Sequence, residues 1–315
     1  MNKHILIDNL IANIGALVSG SKKFFAASIG SLTFEELIRS TEVSVPEINS
    51  EGTYEIMATS KIAGELDTAF RVEKWIGIDH PSIIYHHGNN ERPFDYRKRA
   101  KNSFMNIFVK DRDKFNENLI VVRAPFHDGS LKEYQEKMMH LENFMAMISA
   151  SVKSNESIIA VLRNKSNAPV ITCGISLGGW ATNLHRSYYN SSTVYVPLLA
   201  GTFLGELFLK SKYRKLASNL VFQQPEKIRQ LMNFHDDFMK VMAGNVYPLL
   251  AIYDRYIEYD VQKKSYEGHP VKTIGNGHVT GSLNTVALRD HILEVLQNSK
   301  KLEDSFNSSP EGIKE

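Results

Sequence analysis

The sequence contains a single cysteine, Cys173, so no disulfide can form within the chain and no zinc site can be built from several cysteines. It also has almost no excess of charge, because 37 lysines and arginines stand against 35 aspartates and glutamates, for a formal net charge of +2. This balance gives no electrostatic reason to expect nucleic acid as a partner. No apolar run approaches the roughly 20 residues that cross a bilayer, so stable membrane insertion is not expected.

What the sequence does contain is ordinary for a globular protein. Its 315 residues are 43% hydrophobic and 23% charged, which suits one large domain or two small ones. Near the N-terminus, apolar residues recur at helical spacing and predict an amphipathic helix packed on the core: Ile7, Leu10, Ile11, Ile14, Leu17 and Val18. Polar residues interrupt this stretch, which argues against a secretory signal and favours a cytoplasmic protein.

Short apolar runs alternate with longer helical patterns along the chain. Eight runs are predicted to be strands: 53–60, 70–76, 81–88, 118–126, 168–176, 193–201, 247–254 and 269–275. The first two can form a hairpin. Strands separated by helices imply crossover connections and a sheet covered on both faces. The predicted fold class is therefore α/β, with a doubly wound, mostly parallel eight-stranded sheet.

The domain organisation follows from this pattern. An N-terminal helical segment (1–50) is expected to pack on a core formed by 51–200 and 246–298, and 299–315 is a polar tail. Apolar residues from Leu131 to Ile148 step by three and four, which predicts one helical stripe, and a last helix is expected from about Ser282.

Residues 201–245 form a stretch longer than one crossover needs, so we interpret it as a helical lid insertion of two or three helices. Its apolar residues fit either an acyl pocket or the lid's own core: Phe203, Leu204, Leu207, Phe208, Leu220, Phe222, Leu231, Met232 and Phe234. Two basic clusters, 96–101 and 210–215, are interpreted as solvated helix faces.

The strongest chemical signal is a G-x-S-x-G motif centred on Ser176. The strand PVITC precedes it and a helical pattern follows, which is the setting in which such a serine projects from a tight strand-to-helix turn. Gly174 and Gly178 would give that turn the room it needs. The start of the helix aims backbone N–H groups at developing negative charge.

A serine hydroxyl is a weak nucleophile, so a base and an orienting acid are expected. Of the eleven histidines, His278 follows the last predicted strand and precedes the last helix. Asp254 directly follows the strand YPLLAIY, and Glu258 and Asp260 in the same loop are the competing acids.

Taken in chain order, Ser176, Asp254 and His278 give the sequence a resemblance to the α/β-hydrolase fold, which covers roughly residues 50–298. The resemblance rests on GISLGG, the intervening YDRYI and the late NGH. It implies a serine nucleophile, an acid and a histidine base in that order. Glu258 stands where proline is common in the family's acid turn, so the acid is the least certain of the three positions.

The resemblance also implies an oxyanion hole made by two backbone N–H groups. The first would come from Leu177, after the nucleophile. The second would come from the loop after the third strand, where Asn89 is the first candidate and Gly88 the alternative. Neighbouring residues in a strand face opposite sides, so His86 and His87 are not expected to share a metal. At the same edge, His87, Phe126 and His127 are candidate substrate-binding residues.

These residues predict a serine hydrolase that cleaves a carboxylic ester through an acyl-enzyme, with a small-molecule acyl substrate and no metal or organic cofactor. An acyltransferase, a thioesterase or a peptidase would use the same three residues. A non-catalytic binding protein on the same scaffold is the alternative from another class. Such a protein would commonly have lost a member of the triad, whereas all three positions are filled here.

Overall fold

The protein is built around a nine-stranded mixed sheet. The computed structural model describes residues 2–307, with side chains through residue 299. The nine strands are β1 Glu42–Val43, β2 Gly52–Ser60, β3 Gly64–Lys74, β4 Ser82–His86, β5 Asn118–Arg123, β6 Val170–Ile175, β7 Val194–Leu198, β8 Leu249–Ala251 and β9 Lys272–Ile274. All eight predicted strands are present. The prediction of eight misses only β1, whose two residues are too few to produce a pattern.

The strands lie in the order β1-β2-β3-β5-β4-β6-β7-β8-β9. The pairs β1–β2, β2–β3 and β3–β5 are antiparallel, and β2–β3 is a hairpin. The pairs β5–β4, β4–β6, β6–β7, β7–β8 and β8–β9 are parallel. The mostly parallel, doubly wound sheet is thus confirmed. Because parallel strands end at the same edge, the loops after β4, β6, β8 and β9 meet there.

Helices cover both faces of the sheet. They are α1 Lys3–Ser19, α2 Phe34–Ser40, α3 Ser103–Ile107, α4 Leu131–Met138, α5 Leu141–Arg163, α6 Leu177–Tyr188, α7 Leu204–Leu209, α8 Asn219–Gln223, α9 Pro225–Met232, α10 His235–Met239, α11 Tyr259–Gln262, α12 His278–Ser282 and α13 Thr285–Asn307. Short 3₁₀ helices span Val109–Lys114, Lys212–Leu216 and Lys263–Tyr266. Side chains of β4 alternate between two cores, with Ile83 and Tyr85 on one face and Ile84 on the other.

The single helix expected over the apolar stripe from 131 to 148 is instead two helices, α4 and α5. His140, between them, has an extended backbone (φ −112°, ψ 123°). The break is stabilised from outside, because Phe25 N–H donates to Met138 O (3.0 Å) and Ala27 N–H to Met139 O (2.9 Å). The spacing of the apolar residues could not predict this break, because they continue at steps of three and four across it.

The helix α1 forms as predicted but faces the other way. Its inward side carries Asp8 and Ala12, both buried, whereas Leu10 and Leu17 of the predicted apolar stripe are 57% and 83% exposed. The prediction that this stripe packs on the core is therefore wrong. Asp8 turns inward because it finds buried backbone N–H partners, which outweighs the preference of the leucines for burial.

Residues 201–245 form α7 to α10 and one 3₁₀ helix, which are more and shorter helices than expected. Most of the apolar residues proposed for this segment belong to the main hydrophobic core, as shown by Leu204, Phe208, Met232 and Phe234, which are at most 3% exposed. Whether the segment acts as a lid stays a prediction.

The last helix begins at Thr285, close to the expected Ser282, and continues to Asn307. The predicted polar tail, 299–315, therefore starts inside this helix, and from residue 308 it lies outside the described residues. No helix in the described part of the chain is long and apolar enough to cross a membrane.

Candidate active site

Ser176 occupies a tight turn between β6 and α6. Its backbone has φ 53° and ψ −110°, a conformation that non-glycine residues rarely adopt and that marks functional sites. The surrounding backbone holds it there: Ser176 N–H donates to Leu198 O (2.8 Å), and Trp180 N–H donates to Ser176 O (3.0 Å). The strain projects the serine hydroxyl from the edge of the sheet.

The two glycines around Ser176 are required by space. A Cβ atom on Gly174 would lie 2.3 Å from Gly178 O, and a Cβ atom on Gly178 would lie 2.0 Å from His86 O at the end of β4. Any larger residue at either position would push α6 away from the sheet. The same contact places the start of α6 directly beside the loop that follows β4.

A hydrogen-bonded chain joins the three residues expected from the sequence. Ser176 Oγ lies 3.0 Å from His278 Nε2, and His278 Nδ1 lies 2.7 Å from Asp254 Oδ2. The residues come from the ends of β6, β8 and β9, which the sheet brings to one edge. This geometry suits proton transfer from the hydroxyl to the imidazole, with the carboxylate fixing the ring.

Asp254 is held more firmly than either competing acid. It is 4% exposed, and its Oδ1 accepts hydrogen bonds from the N–H groups of Tyr256 (2.8 Å) and Ile257 (2.7 Å). Glu258 pairs with a neighbouring arginine at 3.6 Å, and Asp260 is 86% exposed and pairs with a lysine. Of the three candidates, the structure brings Asp254 to His278.

Burial and charge act against each other in this pair. Burial raises the pKa of Asp254 above its usual range, while the histidine beside it lowers that pKa in part. Burial alone would lower the pKa of His278, but the charge and hydrogen bond of Asp254, with a further contribution from Asp8, raise it above its ordinary 6.5. The protonated form of His278 is therefore stabilised by the two carboxylates near it.

The loop after β4 lies beside Ser176, as expected of an oxyanion-hole loop. In the part of the chain that the structure describes, the N–H groups of Leu177 and Asn89 donate to no protein acceptor. The side chain of Asn89 is held from both sides, since its Oδ1 accepts from Tyr134 OH and its Nδ2 donates to Tyr213 OH (3.2 Å). Gly88, the alternative donor, precedes it directly.

The predicted substrate-binding histidines lie beneath this loop. His87 is fully buried: its Nδ1 donates to Gly88 O (2.7 Å), and its Nε2 accepts from Ala124 N–H (3.0 Å). His127 is 6% exposed, donates to Pro125 O (2.9 Å) and accepts from Asn90 N–H at 3.4 Å. Both ring nitrogens of each are hydrogen-bonded to backbone, so these histidines support the loop, and their role in substrate binding stays a prediction.

Phe126, the third predicted substrate-binding residue, has a positive φ of 67° and is partly buried. Its ring packs against the core and lies 5.8 Å from Lys137 Nζ. This position sets the turn that carries His127 and shows no contact with Ser176.

Asp8 is a site residue that the sequence analysis missed. It is fully buried, its Oδ2 accepts from the N–H groups of His278 (2.7 Å) and Arg255 (3.1 Å), and its Oδ1 accepts from Val279 N–H (3.0 Å). It thereby joins the loop of the acid to the loop of the histidine. The only sign of this role in the sequence is a carboxylate among the apolar residues of a predicted helix. Local patterns could not identify its partners, because they lie about 250 residues away in sequence.

At the sequence level the chain matches no protein-family model and no curated protein. Solved structures do resemble it. Acetyl xylan esterase 1 from Thermoanaerobacterium aligns with a TM-score of 0.51 and 14% identity over 82% of this chain and 90% of that one. An esterase from Pyrococcus furiosus aligns with a TM-score of 0.53 and 11% identity over 81% of this chain and 96% of that one.

The acylaminoacyl peptidase of Pyrococcus horikoshii also resembles the chain, with a TM-score of 0.51 and 13% identity over 85% of it. The match covers 43% of that longer peptidase. All three are α/β-hydrolase fold proteins. The present chain therefore has the α/β-hydrolase fold, as its strand order and the position of Ser176 also indicate.

Proposed function

We propose that the protein is a serine hydrolase that cleaves a carboxylic ester of a small-molecule acyl substrate through an acyl-enzyme. The observation that carries the proposal is the continuous chain of hydrogen bonds from Ser176 through His278 to the buried Asp254. Esterases and a peptidase among the similar structures support acyl hydrolysis as the reaction class.

The reaction begins when His278 Nε2 takes the hydroxyl proton of Ser176 and the serine oxygen attacks the ester carbonyl carbon. The carbonyl oxygen becomes an oxyanion, which the N–H groups of Leu177 and Asn89 stabilise by hydrogen bonds. His278 then gives the proton to the leaving alkoxide, and the acyl group stays on Ser176. Water then attacks the acyl carbon while His278 Nε2 takes one of its protons. The bond between the acyl carbon and Ser176 Oγ breaks, the acid leaves, and His278 returns the proton to Ser176 Oγ.

Asp254 accepts a hydrogen bond from His278 Nδ1–H in every step, but it does not take the proton and stays ionised. It fixes the tautomer that leaves Nε2 free to accept a proton, and it stabilises the imidazolium. Its own two backbone donors hold it in place, so the ring has one orientation.

Labelling with a fluorophosphonate tests the proposal. We expect Ser176 to react, and Ser176→Ala to lose both labelling and ester turnover, by on the order of 10⁴-fold or more. Ser187→Ala is the matched control, because Ser187 lies in α6, the helix that follows Ser176, and its hydroxyl donates to Asn183 O. Unchanged labelling of Ser176→Ala would contradict the proposal, and a wild-type protein that never labels would favour the non-catalytic alternative.

A further inference from the structure

The outward face of α1 is apolar and exposed. It turns Leu17 (83% exposed), Val18 (66%) and Leu10 (57%) to the solvent, together with other large apolar residues: Leu6, Ile11 and Ile14. The inward face holds the buried Asp8. Soluble proteins rarely leave so many large apolar side chains exposed on one continuous face, so this face is expected to meet a partner.

Two further exposed apolar residues follow α12, a helix that packs on α1. Leu283, just after α12, is 73% exposed, and Val286, in the first turn of α13, is 56% exposed. The helices α1 and α12 contact each other, and His4 Nδ1 lies 2.8 Å from Thr280 Oγ1.

A basic cleft lies beside α1. It is lined by six cationic side chains and one carboxylate, Glu258; the cations are Lys23, Lys210, Lys212, Arg214, Lys215 and Arg255. The cleft touches α1 directly, because Lys215 Nζ donates to Asn13 Oδ1 (2.5 Å).

Most of these cations are not neutralised. Among the described residues, only Lys210 and Arg255 of the six pair with a carboxylate, at 3.1 and 3.6 Å. In a protein with a net charge of only +2, this is a local concentration of positive charge.

We propose that the outward face of α1 and the basic cleft together form a surface that docks on an anionic lipid bilayer. The leucines and isoleucines would enter the boundary between headgroups and acyl chains, and the lysines and arginines would meet lipid phosphates. An apolar helix face with cations along one side is the combination that binds such interfaces peripherally, without crossing them.

A second copy of the chain fits this surface less well. In a two-fold dimer the same patch meets itself, and the one carboxylate of the cleft, Glu258, already pairs with Arg255, so a second copy would bring no anions to the unpaired cations. Like charges facing each other oppose association. A bilayer supplies anions to every cation, and hydrocarbon to every exposed leucine.

Docking through α1 would bring lipid close to the candidate active site. The inward face of the same helix carries Asp8, which binds the backbone of His278. The bilayer and the histidine loop would thus be separated by one helix thickness, roughly 10 Å. The docking proposal rests on surface chemistry and does not depend on the proposed hydrolysis.

Vesicle flotation tests the surface. We expect the full chain to bind vesicles of phosphatidylcholine with about one third phosphatidylglycerol at least tenfold more tightly than pure phosphatidylcholine. Leu10→Gln with Leu17→Gln should weaken this binding by roughly tenfold or more, and Lys212→Glu with Arg214→Glu should do the same. High salt should weaken the charge-dependent part.

Matched control variants distinguish binding through this surface from nonspecific adsorption to vesicles. Leu131→Gln with Met242→Gln removes two exposed apolar residues elsewhere (53% and 90% exposed), and Lys132→Glu with Lys227→Glu makes the same charge change on exposed lysines outside the cleft. Both controls should bind like wild type. Thermal unfolding shows that each variant is folded, whether or not the protein hydrolyses esters.

Three results would overturn the proposal. The first is wild-type protein that does not prefer anionic vesicles, and the second is control variants that lose binding as much as the test variants do. The third is a concentration-dependent dimer, seen by analytical ultracentrifugation, that disappears in the leucine variant while vesicle binding persists. That third result would assign the face of α1 to a second copy of the chain.

Discussion

At the scale of single residues, the site depends on which carboxylate is rigid. Asp254 lies three residues after β8 and is fixed by two backbone N–H groups, so its second oxygen is free for His278. Asp260, six residues on, is 86% exposed and bound to Lys263. A buried, hydrogen-bonded carboxylate can fix the imidazole where a solvated one cannot, and this difference is why we propose Asp254 as the acid.

We therefore expect Asp254→Asn to lower kcat by roughly 10² to 10⁴, because the ring of His278 loses its orienting acceptor. Asp260→Asn is the matched control and should cost less than about tenfold. Steady-state kinetics on a soluble ester measure both. A large loss for Asp260→Asn with a small loss for Asp254→Asn would move the acid to the later position and leave the other two roles intact.

At the scale of elements, α1 is part of the candidate active site. Its Asp8 accepts hydrogen bonds from the loops that carry Asp254 and His278, and its backbone oxygen accepts from Tyr256 OH (3.1 Å). A helix from the N-terminal segment thus holds two loops that lie more than 240 residues later.

For Asp8→Asn we expect kcat/KM on a soluble ester to fall by roughly tenfold, because the amide cannot accept all the bonds that the carboxylate accepts. Because the pKa of His278 is raised, we expect the acid limb of the wild-type kcat/KM profile to lie at a higher pH than an ordinary histidine would give. The groups that act on this pKa are Asp254 and Asp8. Removing the charge of Asp8 should move the limb to lower pH.

Asn13→Ala, at an exposed position of the same helix, is the control and should leave both the rate and the acid limb unchanged. A lower rate for Asp8→Asn with no shift of the limb would mean that Asp8 acts only through folding. A shift of the acid limb with full activity would mean that the charge of Asp8 changes the pKa of His278, but that its hydrogen bonds do not position the loops of Asp254 and His278.

At the scale of the whole molecule, buried histidines set the dependence of stability on pH. Burial lowers the pKa of His86 and His127 to about 4, and that of His87 well below its ordinary 6.5. These side chains must stay neutral in the folded state, whereas an unfolded chain protonates them near pH 6.5. Their contribution to stability is therefore present above pH 6.5 and is lost as the pH falls toward 4.

We expect His86 and His127 each to lower the free energy of unfolding, measured in urea, by on the order of 2 kcal/mol between pH 7 and pH 5. His127→Gln should reduce that pH-dependent loss by about the contribution of one histidine, even if it lowers stability at pH 7. His80→Gln, at an exposed position, is the control. A loss that is equally steep in His127→Gln would contradict the assignment.

Much of the layout of this protein could be predicted from local patterns in the sequence. Eight of the nine strands were predictable because each contains a short run of apolar or β-branched residues, and the four central strands, β4 to β7, are buried on both faces. Ser176 was identifiable because its motif specifies a local turn, and Asp254 and His278 because the ends of successive parallel strands meet at one edge of the sheet. All of these are local patterns placed by a general rule of topology.

Tertiary structure alone decided the rest. The break at His140 depends on residues 25–28 binding the chain there, and the inward turn of Asp8 depends on N–H groups more than 240 residues away. His87 and His127 were expected to face a substrate, but the backbone around them occupies their nitrogens. Helical periodicity gives the apolar side of α1, but which side faces inward depends on the hydrogen-bond partners of Asp8, and these exist only in the folded chain.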